Sequence, residues 1–278
     1  MIISVASGKG GTGKTTVATN LVLSIEHAQF IDCDVEEPNA NIFLNAKISK
    51  IEDIVLNIPE IDKAKCDFCG KCAEFCAFHA LAVVPTDVLV FPELCHSCGG
   101  CEMVCPIDAV HWYERVIGKV QHGCADEIDF YDGFLNVGEI QAIPIIKTLK
   151  KKIRKSRNVI IDAPPGTSCP VIESITGSDY CILVTEPTPF GLHDLKLAVE
   201  VVRHLNIPFG VVINRDGIGN DHLEFYCKKA SIPILLKIPE KRKIAHLYSQ
   251  GIPMVSKSSQ WREMFGMLFD QIRDEVNK

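Results

Sequence analysis

The sequence predicts an α/β fold, a mainly parallel sheet flanked by helices, interrupted by a small cysteine-rich α+β insert. Three observations carry this. A glycine-rich loop, Gly8–Thr16, falls between a strand pattern and a helix pattern near the start of the chain. From about residue 118 onward, apolar runs alternate with helical stretches, the signature of βαβ units around a parallel sheet. Between them, eight of the 13 cysteines crowd from Cys66 to Cys105. The chain therefore reads as one α/β domain, residues 1–57 and 118–278, with residues 58–117 inserted into it.

The elements follow in order. Residues 1 to about 57 read as strand, glycine loop, helix, strand. After the insert, the runs Asn158–Ala163, Cys181–Glu186, Phe209–Asn214 and Ile234–Ile238 have the length and composition of buried strands. Leu192–Leu205 and His222–Ala230 lie between them with helical spacing, and Trp261–Val276 closes the chain as an amphipathic helix. Its Asp270, Asp274 and Glu275, with no basic excess, favour packing on the sheet over attraction to anionic lipid. No run reaches the roughly 18 apolar residues that cross a bilayer. Met1–Ala6 lacks the basic region and cleavage site of a signal peptide, so a cytoplasmic location is expected. The net charge of −6 argues against nucleic acid as a partner.

Gly8-Lys9-Gly10-Gly11-Thr12-Gly13-Lys14-Thr15-Thr16 fits the phosphate-loop pattern GxxxxGK[ST]. Its glycines let backbone N–H groups turn inward around phosphates, and the helix that starts at Lys14 adds its positive end. Lys14 reaches the β- and γ-phosphates, and Thr15 offers a hydroxyl to Mg²⁺. A bare strand–helix turn without a ligand is the rival reading.

The insert carries an internal repeat. Cys66, Cys69, Cys72 and Cys76 recur as Cys95, Cys98, Cys101 and Cys105, with Gly70/Gly99 and Ala80/Ala109 keeping step. CxxCxxCxxxC is the bacterial ferredoxin spacing. Two-residue gaps let three thiolates grip one cubane, and the fourth cysteine, after a helical turn, reaches the other. Cys66, Cys69, Cys72 and Cys105 are thus expected on one [4Fe–4S] cluster, and Cys95, Cys98, Cys101 and Cys76 on the second. Pro106 follows Cys105 as usual, whereas Ala77 stands at the matching place after Cys76. Paired zinc sites are the competing reading. His79 and His96 read as surface or supporting residues rather than ligands.

Gly-Lys-Gly-Gly-Thr-Gly-Lys-Thr, with its early Lys9, resembles the deviant Walker A motif of the MinD/ParA/nitrogenase-iron-protein group, and the resemblance covers the chain outside the insert. It implies that Lys9 reaches across a homodimer closed by two ATP molecules. By the same resemblance, Asp34 in Ile31-Asp32-Cys33-Asp34 orients or activates the attacking water. Asp162 in Val159–Gly166 lies near Mg²⁺ through water, and the Gly166 N–H meets the γ-phosphate. Asn214-Arg215 resembles the adenine-recognition element, and Ile238-Pro239-Glu240 the loop closing the base pocket. The nitrogenase iron protein ligates a cluster with a cysteine at the offset of Cys169. Here Cys169 reads as a small buried residue near the nucleotide, as a thiol at the dimer interface, or as the ligand of a third, intersubunit cluster with Cys124 as second donor.

The basic run from Lys147 to Arg157 reads as a solvated helix end or as a dock for an acidic partner. Together these features lead to an ATP-hydrolysing iron–sulfur protein that couples nucleotide-driven dimer and switch changes to electron transfer through two [4Fe–4S] clusters, with an unidentified electron donor or acceptor. An iron–sulfur assembly carrier and a ParA/MinD-like positioning switch are the alternatives.

Overall fold

The computed structural model describes residues 1–277. In chain order the elements are β1 (Ile2–Ala6), α1 (Lys14–Val22), β2 (Ala28–Asp32), α2 (Ala40–Leu44), β3 (Lys47–Ile61), α3 (Lys71–Phe75), β4 (Leu81–Val84), β5 (Asp87–Val90), α4 (Gly100–Met103), β6 (Val110–Ala125) and β7 (Ile128–Leu135). There follow α5 (Ile143–Lys151), β8 (Asn158–Asp162), α6 (Cys169–Ile175), β9 (Tyr180–Thr185), α7 (Pro189–His204), β10 (Phe209–Asp216), α8 (His222–Lys229), β11 (Ile234–Pro239), α9 (Arg242–Ser249) and α10 (Ser259–Val276).

The chain divides into two compact units. The first comprises Met1–Ile51, Val120–Phe134 and Ile143–Lys278. The second comprises Glu52–Lys119 and Leu135–Ala142. The cysteine-rich region thus carries a second segment, 135–142, that the single insert expected at 58–117 did not include. Side chains tie that segment down: Arg115 pairs with Glu139 at 2.5 Å, Gln141 donates to the Cys95 carbonyl at 2.7 Å, and the Asn136 N–H bonds the Ile117 carbonyl at 2.9 Å.

In the first unit the sheet runs β11-β10-β9-β1-β8-β2-β7 and continues into β6 and β3. Every pairing from β11 to β7 is parallel. Such strands are covered on both faces, so nearly every residue must be apolar. β9, Tyr-Cys-Ile-Leu-Val-Thr, is buried throughout and shows how the faces divide: Tyr180, Ile182 and Val184 point into one core, Cys181 and Leu183 into the other. The first core receives Val17 and Leu21 of α1 and Phe265, Leu268, Phe269 and Ile272 of α10. Burying each of those side chains stabilises the fold by roughly 1.5–3 kcal/mol. The second core receives Val171, Leu195, Val199 and Leu223 from α6, α7 and α8.

Helix starts have local causes. The Thr188 hydroxyl accepts the Gly191 N–H at 3.0 Å with Pro189 in the first turn, and the Ser258 hydroxyl accepts from Trp261 at 3.4 Å. The basic run is largely committed to structure: Lys150 donates to carbonyls of Glu173 and Thr176, and Arg157 to those of Ala28 and Glu127. Among the described residues, no helix is long and apolar enough to cross a membrane.

The second unit has a small apolar centre of Leu81, Val88, Cys101 and Val110, flanked by Ile61, Phe68, Trp112 and further cysteines. Its β4–β5 hairpin pairs Leu81 with Val90 and Val84 with Asp87. The repeat in sequence is a repeat in backbone: Phe68 and Ser97 lie at φ 55° and 52°, Gly70 and Gly99 at 80° and 78°, His79 and Asp108 at 52° and 51°.

Candidate functional site

The carboxyl ends of the parallel strands gather the first set of functional residues, as they do in open α/β sheets. β1 ends at Ala6, the loop runs from Ser7 to Gly13, and α1 begins at Lys14. Gly13 sits at φ 95°, and a Cβ there would stand 2.3 Å from the Asn214 amide nitrogen, so only glycine serves. The Asn214 amide uses this closeness to donate to the Thr12 carbonyl at 2.8 Å. The end of β10 is therefore bonded directly to the phosphate loop.

Lys14 is buried, 6% exposed. Its charge holds down both Asp34 and Asp162, although burial dominates and raises both. Asp34 is pushed up to about 6, chiefly by burial, with Lys14 opposing. Asp162 lies above the usual carboxylate range, through burial first, against the hydrogen bond from Thr15 and the charge of Lys14. Asp32, wholly buried and close to Asp162, is also raised. Its two oxygens accept the N–H groups of Asp34 at 3.0 Å and Ala40 at 3.1 Å, so Asp32 fixes the loop that carries Asp34.

Thr15 donates its hydroxyl to Asp162 Oδ2 at 2.6 Å, while Asp162 Oδ1 is buried with no hydrogen-bond partner. An unpartnered buried carboxylate oxygen beside a hydroxyl suits a hard divalent cation, so these residues fit Mg²⁺. The Gly166 N–H is spent on the Ser7 carbonyl at 3.0 Å, a bond it must exchange to meet a γ-phosphate.

Lys9 does not point at Lys14's group. Its ammonium pairs with Glu186 Oε1 at 2.6 Å, and Arg215 approaches the other oxygen at 3.3 Å. Arg215 also stands 4.0 Å from Glu240, beside Pro239 at the end of β11. Glu186, 8% exposed, is thus the hub of a Lys9–Glu186–Arg215–Glu240 chain of charge. Sequence reasoning took Glu186 only for the end of a strand. A buried carboxylate directly after an apolar strand was the available signal.

Cys169 opens α6 just past Asp162 and is exposed, so it is not the small buried residue that was one expectation. Another expectation paired it with Cys124. Cys124 lies at the last turn of β6, next to the start of β7, and the parallel register Gln29↔Asp129 through Asp32↔Asp132 puts that end at the opening of β2. Cys169 follows the closing end of β8, which is in register with β2 at Asp32↔Asp162. The two thiols thus lie at opposite ends of the strands within one chain.

In the second unit, Cys66, Cys69, Cys72 and Cys105 line one cavity, together with Phe68, Lys71 and Ile107. Cys76, Cys95, Cys98 and Cys101 line another, with Phe75, His96 and Trp112. The fourth cysteine of each repeat thus faces the cavity of the other repeat. Backbone N–H groups of Ala80, Ser97 and Ala109 donate to the sulfurs of Cys76, Cys95 and Cys105 at 3.3–3.4 Å, fixing where these sulfurs sit. Two enclosed sets of four sulfurs suit two four-thiolate metal groups. His96 stacks on Phe78 at 3.6 Å, consistent with a supporting place rather than ligation.

The model of the CobQ/CobB/MinD/ParA nucleotide-binding domain matches residues 3–254. The chain belongs to this family. Like MinD/ParA-type members it is a P-loop ATPase, with the loop, Lys14 and Asp162 arranged as described. An uncharacterised protein of Methanocaldococcus jannaschii is 33% identical over 259 residues, 90% of each chain. An iron–sulfur cluster carrier protein of Pyrococcus abyssi is 25% identical over 274 residues, 91% of this chain and 78% of the relative. In fold, the septum site-determining protein MinD of Pyrococcus horikoshii, solved with Mg-ADP, aligns with TM-score 0.58 at 19% identity, covering 100% of this chain and 96% of that one.

Proposed function

We propose that this MinD/ParA-type ATPase is an iron–sulfur protein in which ATP-driven changes at the switch residues govern electron transfer through two [4Fe–4S] clusters held by the second unit, a ferredoxin-like domain. The reading rests on one observation above all: each cavity of the second unit is lined by four cysteines in the crossed combination that ferredoxin spacing predicts. The clusters, when bound, supply one-electron storage and passage.

The chain's own residues supply the nucleotide chemistry. Lys14 and the loop amides cradle the phosphates, Thr15 and Asp162 hold Mg²⁺, and Asp34 orients the water for in-line attack on the γ-phosphate. Lys9 leaves Glu186 to reach the nucleotide of a second copy, so closing the homodimer costs this chain an ion pair. Asn214, Arg215, Pro239 and Glu240 surround the base. Chain order supports coupling, since the segment 52–119 departs between Asp34 and Asp162.

A second reading has its own support: the 25%-identical relative is named as an iron–sulfur cluster carrier protein. In that case the clusters are cargo, handed to a recipient. One experiment separates the readings. The protein is purified without oxygen, iron and labile sulfide are counted, and cluster reduction is followed with ATP, with ADP and with neither. About eight irons per chain with nucleotide-sensitive reduction is the expected result. Iron that departs to an apoprotein acceptor with no nucleotide effect on reduction supports the carrier, and zinc in place of iron sinks both.

A further inference from the structure

We propose a divalent metal site in the first unit, apart from the nucleotide and from the cysteine cavities, formed by His122, Cys124 and Asp129. The three supply a nitrogen, a sulfur and an oxygen, and these atoms all lie within 4.8 Å of one another.

Local structure explains the convergence. His122 and Cys124 are two apart on β6, so their side chains share a face. The two-residue link Asp126–Glu127, with Asp126 at φ 49°, turns the chain back, and Asp129 is the second residue of β7. His122 Nε2 stands 2.8 Å from Asp129 Oδ1. A salt-bridged histidine is the simpler description of that pair alone. It does not account for the thiol that completes the triangle, nor for how firmly the pair is held.

Asp129 is nearly buried, its side chain 5% exposed, and its inner oxygen Oδ2 is committed to Gln29 Nε2 at 3.0 Å and Arg154 Nε at 3.3 Å. Gln29, wholly buried, is itself fixed, donating to the Lys152 carbonyl and accepting the Arg154 N–H. The His122 ring stacks on Tyr131 at 4.4 Å. These are the outer contacts that orient metal ligands: one carboxylate oxygen tied back, the other aimed outward, and the imidazole plane fixed.

A mixed N, S, O set suits a borderline-soft ion, Zn²⁺ above all, and not Mg²⁺ or Ca²⁺. Bond lengths of about 2.0–2.3 Å to the three donors require the His122–Asp129 pair to spread slightly around the ion. On binding, Cys124 gives its proton to solvent, and thiolate plus carboxylate neutralise the two positive charges. Three protein ligands leave a fourth position, and exposed Cys124 also lines a cleft with Leu23, Phe43, Asn45 and Lys47 that gives solvent access to the site. That is the pattern of a site with an exchangeable water, not of a closed structural one.

The test uses the full chain, prepared anaerobically with its iron in place, equilibrated with Zn²⁺ and passed through a desalting column. Wild type is expected to keep one zinc more per chain than Cys124→Ser or His122→Ala, with iron and sulfide equal in all three. Co²⁺ as probe is expected to give thiolate-to-metal charge transfer in the wild-type-minus-Cys124→Ser difference spectrum. Gln29→Ala, which keeps all three ligands, is expected to weaken binding about 10- to 100-fold. Equal zinc in wild type and Cys124→Ser overturns the proposal, as does a Co²⁺ difference spectrum without charge transfer. Both comparisons hold whether the cysteine cavities carry iron or not, because they are the same in every variant.

Discussion

The two candidate functional regions are built in opposite ways. Around the phosphate loop, polar groups already bond one another: Lys9 with Glu186, Thr15 with Asp162, Asn214 with Thr12. A sheet with apolar cores on both faces stands behind them. In the second unit the cysteines are themselves part of a small core: Cys101 is buried with Leu81, Val88 and Val110, and Cys66, Cys72, Cys76 and Cys105 pack against them. The first region is held by its sheet and apolar cores; the second is held in good part by its cysteines.

The largest expected effect tests that contrast directly. Stripping the metal groups with chelator and oxidant should abolish amide-exchange protection in 52–119, while β1, β8 and β9 keep theirs. Equal loss, or none, in both regions would break the comparison. Next, Asp34→Asn should cut ATP hydrolysis about 10²–10⁴-fold while the protein still binds nucleotide and iron. Asp34 acts as an anion, and its pKa is pushed up to about 6, so wild-type kcat/KM should fall as pH drops through 6, a limb the variant lacks. Burial disfavours that anion, so the same group costs stability above pH 6 and ceases to do so as it protonates on acidification. Lys14→Ala should weaken nucleotide binding about 10²–10³-fold with iron content unchanged, sharpening the independence of the two regions. Smallest is Glu186→Gln. Lys9 is partly exposed, so its pair is worth only about 1 kcal/mol at most. Releasing it should raise ATP-dependent dimerisation a few-fold by light scattering, and a decrease would mean that Glu186 helps Lys9 act rather than holding it back.

What could be read in advance was local. The runs expected at Asn158–Ala163, Phe209–Asn214 and Ile234–Ile238 became β8, β10 and β11 with ends shifted by a residue or two, because buried parallel strands write themselves as continuous apolar stretches. The phosphate loop and the cysteine spacing are equally contiguous. For Glu186 the sequence offers only a carboxylate after an apolar run, because its partner Lys9 is 177 residues away. Segment 135–142 carries no motif that ties it to the cysteine-rich unit, since what binds it is the distant Arg115 and the carbonyl of Cys95. The His122–Cys124–Asp129 grouping needed a hairpin register, which Cys124 seen alone does not reveal.

Because the second unit takes chain from both 52–119 and 135–142, it cannot be cut out with two scissions. An excised 52–119 fragment would lose the glutamate that Arg115 holds and the amide resting on Cys95, and what remained would keep a stub of eight foreign residues ahead of α5. Isolating the cysteine-rich unit alone therefore requires a new linker between its two segments.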